Sequence, residues 1–269
     1  MPPGEKMIRL IACDVDGTLL GHGDTGLSDE LYAQIAQLQR RGICFVPASG
    51  RQYLNLRDLF APAGEELIYL SDNGALVTDH DHTVSKTCMP HPQDLELIRQ
   101  IAAFDTLRVL ASGERTVYIL KNQPEYLEHI RDFVGPHVTE IDSFDAVAEP
   151  FIKISAFCPA GLDVSTENYF HVRWDGLLNV AISGPRWLDF TCADKGSGLA
   201  MIAQQYDLDP QEIMAFGDNF NDLPMLRFAG TPYVVEGADP RVKAQVPYVC
   251  DRVESVLRRI LEENRAHQA

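Results

Sequence analysis

No long uncharged apolar stretch interrupts the 269 residues of this chain, so nothing in it reads as a signal segment or a membrane span, which needs about 20 such residues. Positive charge is scarce as well. Lys and Arg number 23 against 39 Asp and Glu, a formal net charge of −16, whereas nucleic acid or an anionic membrane is ordinarily met by a basic face. A small anion would feel the same repulsion, screened beyond about 8 Å at physiological salt, so its capture falls to cations placed beside it. The six cysteines (Cys13, Cys44, Cys88, Cys158, Cys192, Cys250) form no C-x-x-C pair and no zinc-like spacing. Most sit in or beside apolar runs, where a free thiol behaves as a small hydrophobe. Reduced structural thiols and a cytoplasmic location are the expectation. Internal repeats and low-complexity segments are absent, and nothing marks an obligate protein partner.

The composition that remains, 45% hydrophobic and 23% charged, is that of an ordinary soluble globular protein, long enough for one large domain or two modest ones. Residues 1–6 lead straight into an apolar run, Met7-Ile8-Arg9-Leu10-Ile11-Ala12-Cys13, which reads as a buried strand. Ser28-Asp29-Glu30 then opens a helical pattern carrying Leu31, Ile35 and Leu38 and ending near Gly42. Ile43-Cys44-Phe45-Val46 and Leu67-Ile68-Tyr69-Leu70 read as two more strands with a helix between them. Strands separated by helices imply a parallel sheet.

The middle of the chain has more antiparallel character. A hairpin is expected around Asp79-His80-Asp81-His82, then helices near 93–104 and 124–134, with strands near 107–111, 116–120, 151–157, 178–182 and 187–191. The last third returns to helix (198–206), strand (213–216), helix, short strand (233–235) and a terminal helix from about Arg252. The fold class expected is therefore α/β: a Rossmann-like parallel-sheet core, residues 1–80 and 185–269, interrupted by an inserted α+β cap at 81–184. Chain segments on either side of an insertion must meet, so distant loops can share one site.

Asp14-Val15-Asp16-Gly17-Thr18 stands where the first strand ends, the position at which open α/β sheets bind ligands. Two acids there can divide labour, one as nucleophile and metal ligand, the other as proton donor and acceptor; the same letters also suit an ordinary Asx turn. Ser49-Gly50 follows the second strand and offers a hydroxyl and backbone N–H groups to an anion, or a helix N-cap. Lys195 follows Asp194 at a helix entrance, where a cation opposes the helix macrodipole. Gly217-Asp218-Asn219-Phe220-Asn221-Asp222 follows the strand at 213–216. Asp218 there suits a hard cation such as Mg²⁺, Asn221 suits a phosphate oxygen, and Asp222, before Leu223-Pro224, suits either a metal site or a helix cap.

Together these four loops, in this order, resemble the haloacid dehalogenase superfamily of phosphohydrolases. The long insertion after Ser49, with Asn73-Gly74-Ala75 near its start, resembles the C2B-capped subfamily IIB branch called Cof-type. The resemblance covers almost the whole chain. It implies a mobile α/β cap, Mg²⁺ dependence and hydrolysis of small phosphorylated metabolites, sugar phosphates by preference, with no nucleic-acid or membrane partner. Residue by residue, Asp14 matches the nucleophile that forms an aspartyl-phosphate and is a metal ligand. Asp16 matches the general acid/base, giving its backbone carbonyl to the metal. Asp218 matches the third metal ligand, with Asp222 beside it in the metal site or its surround. Ser49, Gly50, Lys195 and Asn221 match phosphate contacts.

Two positions depart from the branch: Ser49 replaces a common Thr, keeping the hydroxyl, and Glu236-Gly237-Ala238 replaces a usual Gly-Asn-Ala. A sugar phosphomutase would use the same two-acid motif, and a non-catalytic phosphometabolite-binding regulator would not need it intact; a dehalogenase would lack the equivalent of Asp16. Arg51, beside the phosphate loop, is a candidate contact to substrate or cap. Arg115, Tyr118, Lys153 and Trp174 have side chains suited to a cleft, and the sequence singles out none of them.

Overall fold

The apolar run before the first acidic loop forms strand β1 (Leu10–Asp14), buried along its whole length. The computed structural model describes residues 7–21, 26–64 and 66–266, so the lead-in at 1–6 lies outside the described residues. Helix α1 (Asp29–Gln39) begins where the Ser28 hydroxyl accepts from the Leu31 N–H, with Asp29 and Glu30 in the first turn. Its buried stripe includes Leu31, Ile35 and Leu38, the spacing of one helix face. Strand β2 (Cys44–Ala48), helix α2 (Tyr53–Phe60) and strand β3 (Ile68–Ser71) follow. Strands β4 (Leu76–Asp79) and β5 (His82–Lys86) close a hairpin whose turn residues, His80 and Asp81, both have positive φ (47° and 60°), as a type I′ turn requires.

The cap comprises α3 (Gln93–Ala102), β6 (Arg108–Ser112), β7 (Val117–Leu120), α4 (Pro124–Val134), β8 (Val138–Ile141), β9 (Lys153–Phe157), α5 (Val164–Trp174), β10 (Asn179–Gly184) and β11 (Trp187–Thr191). The chain then returns through α6 (Lys195–Gln205), β12 (Ile213–Gly217), α7 (Leu223–Phe228), β13 (Thr231–Val235), α8 (Pro240–Lys243), β14 (Tyr248–Cys250) and α9 (Val253–Ala266).

Two sheets result. The eight-stranded core sheet runs β14-β13-β12-β1-β2-β3-β4-β5, parallel as far as β3 and antiparallel from β3 to β5. β1 lies between β12 and β2, so strand order reverses around it. That is the topological switch point where crevices form at strand carboxyl ends. The six-stranded cap sheet runs β10-β11-β9-β6-β7-β8. On one face α3 and α5 bury Leu97, Ile101, Phe170 and Trp174 against Val109, Ala111, Ile154 and Phe190. On the other, α4 places Tyr126, Ile130 and Val134 against Leu110, Val117, Ile119 and Phe157.

The expected cap edges at 81 and 184 need correction. Each cuts a ladder: the first separates β4 from β5, the second β10 from β11, and both pairs are hydrogen-bonded hairpins. A hairpin moves as one unit, so the chain crosses between sheets after Lys86 and again after Thr191. Strands β8 and β14 and the short helix α8 were not anticipated. Among the described residues no helix is long and apolar enough to cross a membrane, and all six cysteines are free thiols.

Candidate active site

Asp14 ends β1 with its carboxylate buried, 5% exposed. The loop beyond it turns tightly because the Leu19 and Leu20 N–H groups both donate to the Val15 carbonyl. Gly17 has φ +97°, and a β-carbon there would collide with the Asp218 carboxylate, so only glycine allows the two acidic loops to close on each other. Thr18 Oγ1 fastens that approach, donating to Asp218 Oδ1 at 3.0 Å.

Lys195 is 0% exposed. Its ammonium donates to Asp14 Oδ1 at 2.5 Å and Asp222 Oδ1 at 2.6 Å. The α6 terminus that carries it is set by a capping box: Asp194 Oδ1 accepts from the Ser197 N–H and Ser197 Oγ from the Asp194 N–H. The other oxygen of Asp222 accepts from the Asp218 and Asn219 N–H groups at 2.9 and 3.0 Å. Asp222 is thus spent on holding the loop and the lysine. Lys195, expected from the sequence to contact phosphate, is enclosed here between Asp14 and Asp222.

Asp14, Asp218 and Asp222 each bring one oxygen within 4.8 Å of the others, and Lys195 contacts two of them. Burial, with the Asp222 carboxylate alongside, pushes Asp14 well above the usual carboxylate range, and Asp218 rises for the same reasons. Burial would lower Lys195, yet Asp14 and Asp222 carry it upward. Asp14 Oδ2 is buried with no hydrogen-bond partner, an acceptor that demands one. An oxygen-only donor set, an orphaned carboxylate oxygen and surplus negative charge together fit a hard divalent cation such as Mg²⁺.

Asp16 points elsewhere. Its side chain is 52% exposed and forms a bidentate pair with Arg51, Nε–Oδ2 at 2.8 Å and Nη2–Oδ1 at 2.6 Å. Its carboxylate stands outside the acidic trio. Ser49 does not cap α2; Gln52 does, through its side-chain oxygen. Ser49 Oγ accepts from the Arg51 N–H at 3.1 Å, and Ser49 and Gly50 face a cavity of about 660 Å³ together with Asp14, Asp16, Asp218 and Asn221.

The roof of that cavity is the cap. Lys153, on β9, donates to the Gly50 carbonyl and lies 3.4 Å from Asp189 Oδ2 and 3.5 Å from Asp72 Oδ1. Asp189 in turn accepts from Asn73 Nδ2 and Ser155 Oγ at 3.0 and 2.6 Å, and Asn73 Oδ1 accepts from Asn221 Nδ2 at 3.3 Å. This network joins the cap sheet to the Ser49-Gly50 loop; Asp72 and Asp189 were not picked out from the sequence, and Asn73 was noted only within Asn73-Gly74-Ala75. The one signal was Asp72-Asn73-Gly74 following an apolar strand, the same grammar as the first loop. Of the four cap residues named beforehand, Lys153 lines the cavity. Arg115 is held by the Asp81 carbonyl, Tyr118 by Glu149 and Trp174 by Gln100. The Glu236-Gly237-Ala238 stretch abuts the site indirectly, the Asp239 N–H donating to the Asp218 carbonyl.

A model of the haloacid dehalogenase-like hydrolases matches residues 11–256. The chain is 26% identical over 243 residues, 90% of each protein, to the Escherichia coli (strain K12) 5-amino-6-(5-phospho-D-ribitylamino)uracil phosphatase YbjI. It is 28% identical over 263 residues to a phosphoglycolate phosphatase of Methanopyrus kandleri, covering 96% of this chain and 99% of that one. The crystal structure of SMU.1108c from Streptococcus mutans UA159 superposes with TM-score 0.83 at 25% identity, covering 95% and 99% of the two chains.

Proposed function

Because the chain belongs to the haloacid dehalogenase-like hydrolases, in their Cof-type capped branch, we propose that it is a Mg²⁺-dependent phosphatase working through an aspartyl-phosphate on Asp14. Its substrates are small phosphorylated metabolites, sugar phosphates among them; the relatives named above are themselves phosphatases of such compounds. The observation that carries the reading is the state of Asp14: one oxygen clamped by a buried lysine, the other without a partner, at the floor of a capped cavity.

Lys195 holds the Asp14 carboxylate in a fixed rotamer and favours its charged form. Asp14 attacks phosphorus in line, and the bond from phosphorus to the leaving oxygen breaks. Asp16, released by Arg51 and having taken a proton from solvent, gives that proton to the departing alkoxide. It then takes a proton from the water that attacks phosphorus, and cleavage of the aspartyl–phosphorus bond returns Asp14 and frees inorganic phosphate. Ser49 Oγ, the backbone N–H groups beside Gly50 and Asn221 Nδ2 hold the phosphoryl oxygens. Mg²⁺, when held by Asp14, Asp218 and the Asp16 carbonyl, supplies positive charge against those oxygens. The cap excludes bulk water.

The test is phosphate release from a panel of phosphorylated metabolites with Mg²⁺, wild type against Asp14→Asn. Wild type should turn over without a bisphosphate activator, and Asp14→Asn should lose activity by at least about 10³-fold while staying folded. Comparable activity in the variant would remove Asp14 from the role of nucleophile. Strict dependence on a bisphosphate without net phosphate release would make the protein a mutase.

A further inference from the structure

A second cavity, about 460 Å³, lies in the cap and shares no lining residue with the catalytic one. Arg108, Tyr126, His129, Phe157 and Arg186 line it together with the first turn of α4. Its wall is a stack of rings: Phe157 meets Tyr126 at 5.5 Å and His129 at 4.6 Å between centroids, with interplanar angles of 18° and 22°. Three kinds of donor in this lining lack acceptors. The N-cap residue of α4, Gln123, makes no side-chain bond, and Pro124 brings no N–H, so the Glu125 and Tyr126 N–H groups open the helix uncapped. Arg108 is fixed by Nη1, which donates to the Asp105 and Leu107 carbonyls at 2.7 and 2.8 Å. Its Nε and Nη2 have no partner among the described residues, and Arg186, in the β10–β11 turn, forms no ion pair among them.

The third donor is the Tyr126 hydroxyl. Tyr126 is 6% exposed, and its hydroxyl is buried with no hydrogen-bond partner. Burial raises its pKa while Arg108 opposes the rise, so the hydroxyl lies within the field of the guanidinium and stays a neutral donor. A buried donor left idle destabilises a fold, and an arriving acceptor removes that cost. In a chain of net charge −16, two arginines against one exposed acid, Glu125, reverse the local sign. We propose that this cavity is a second anion site, binding the phosphate group of a small molecule that the enzyme does not turn over there. Arg108 and Arg186 supply the charge, and the α4 N–H groups and Tyr126 hydroxyl the directional bonds. These donors outnumber the two oxygens of a carboxylate and suit the three of a phosphate group. Phe157 stacks on Trp187, a residue of the catalytic cavity, at 4.6 Å, so the occupant rests on a ring shared with that cavity's wall.

The test is a titration with inorganic phosphate and with glycerol 2-phosphate, at constant ionic strength and followed by amide NMR. EDTA is present, so the Mg²⁺-dependent reaction is silent. The Glu125 and Tyr126 amide signals should move saturably with either ligand, the tighter of the two marking the free ion or an ester as the natural occupant. Sodium acetate should not move them. Arg108→Ala and Arg186→Ala should each raise Kd by about tenfold or more. Tyr126→Phe should raise it about fivefold and leave the denaturation midpoint unchanged or higher, because the hydroxyl it removes has no partner in the free protein. Any response of the Gly50 amide, in the catalytic cavity, should be the same in wild type and all three variants, so the two sites are read apart. No saturable movement at α4 in wild type, an equal response to acetate, or a Kd that neither arginine variant changes would overturn the proposal. None of these readouts needs turnover, so that failure would leave the phosphatase reading standing.

Discussion

Lys195 is a charged side chain with none of its surface in water, and a lysine is buried in this way only when carboxylates repay its desolvation. Asp14 and Asp222 do so at 2.5 and 2.6 Å. Lys195→Ala therefore leaves two buried acids facing each other and should destabilise the fold by about 3–5 kcal/mol, read by chemical denaturation. It should also lower kcat/KM by about 10²–10³-fold, the usual scale for a preorganised charge at a reacting group. Stability lost with kcat/KM intact would reduce the lysine to a strut. The residue was legible in the sequence because a cation in the first turn works against the helix macrodipole, which leaves a functional reason. Its contacts with Asp14 and Asp222 were not legible. Spacing cannot tell phosphate from the Asp14–Asp222 pair, since the two acids and the lysine come from three separate loops. Asp189 gave no sign at all, an isolated acid between Leu188 and Phe190, and Asp72 showed only as an acid before Asn73-Gly74; folding alone brings Lys153 to them.

At the scale of elements, the site depends on how closely the α6 terminus approaches the turn after β3. Gly74 has φ +93°, and a β-carbon there would run into the Asp194 carbonyl at the α6 cap; one on Gly198 would in turn meet the Gly74 backbone at 2.9 Å. Gly74→Ala thus combines a left-handed conformation, costing about 1–2 kcal/mol, with a backbone collision that no rotamer relieves. The expected loss is more than about 3 kcal/mol in denaturation experiments, accompanied by reduced kcat/KM because Lys195 shifts with its helix. Gly237→Ala, with open space around it, should stay within about 0.5 kcal/mol of wild type. A small effect at Gly74 would mean that α6 can slide without cost to the site. Elements of this core were readable because its strands are continuous apolar runs, as buried parallel strands must be. The strands missed lie at sheet edges: β8 and β14 are exposed along much of their length, so neither shows a clean apolar run, and the missed helix α8 is only four residues long. The cap edges were misplaced because two hairpins, β4–β5 and β10–β11, look alike in sequence although one belongs wholly to the core and the other wholly to the cap.

For the molecule as a whole, the closed arrangement of cap on core rests on a junction short of positive charge. Lys153 from the cap sits between Asp72 of the core and Asp189 of the cap. Neither oxygen of Asp72 has a hydrogen-bond partner. Burial raises Asp72 to about 6, against the pull of Lys153. An unfolded aspartate ionises near 3.9, so between those values the folded protein holds a proton that the unfolded chain has released. The stability due to that proton is fully present below about pH 4 and is lost as pH rises to about 6. The loss amounts to about 3 kcal/mol, two pKa units at 1.36 kcal/mol each. With an acidic excess this large, many other groups titrate over the same interval, and a wild-type profile alone would not isolate one of them. Asp72→Asn mimics the protonated side chain and leaves the remaining acids as they are, so the difference between variant and wild type carries the signal. Measured by chemical denaturation, that difference should move in favour of Asp72→Asn by about 3 kcal/mol between pH 4 and pH 7 and be flat above that. A difference that does not change with pH would mean that Asp72 is already ionised beside Lys153 throughout, and that the cap–core junction is held by a fully charged triad.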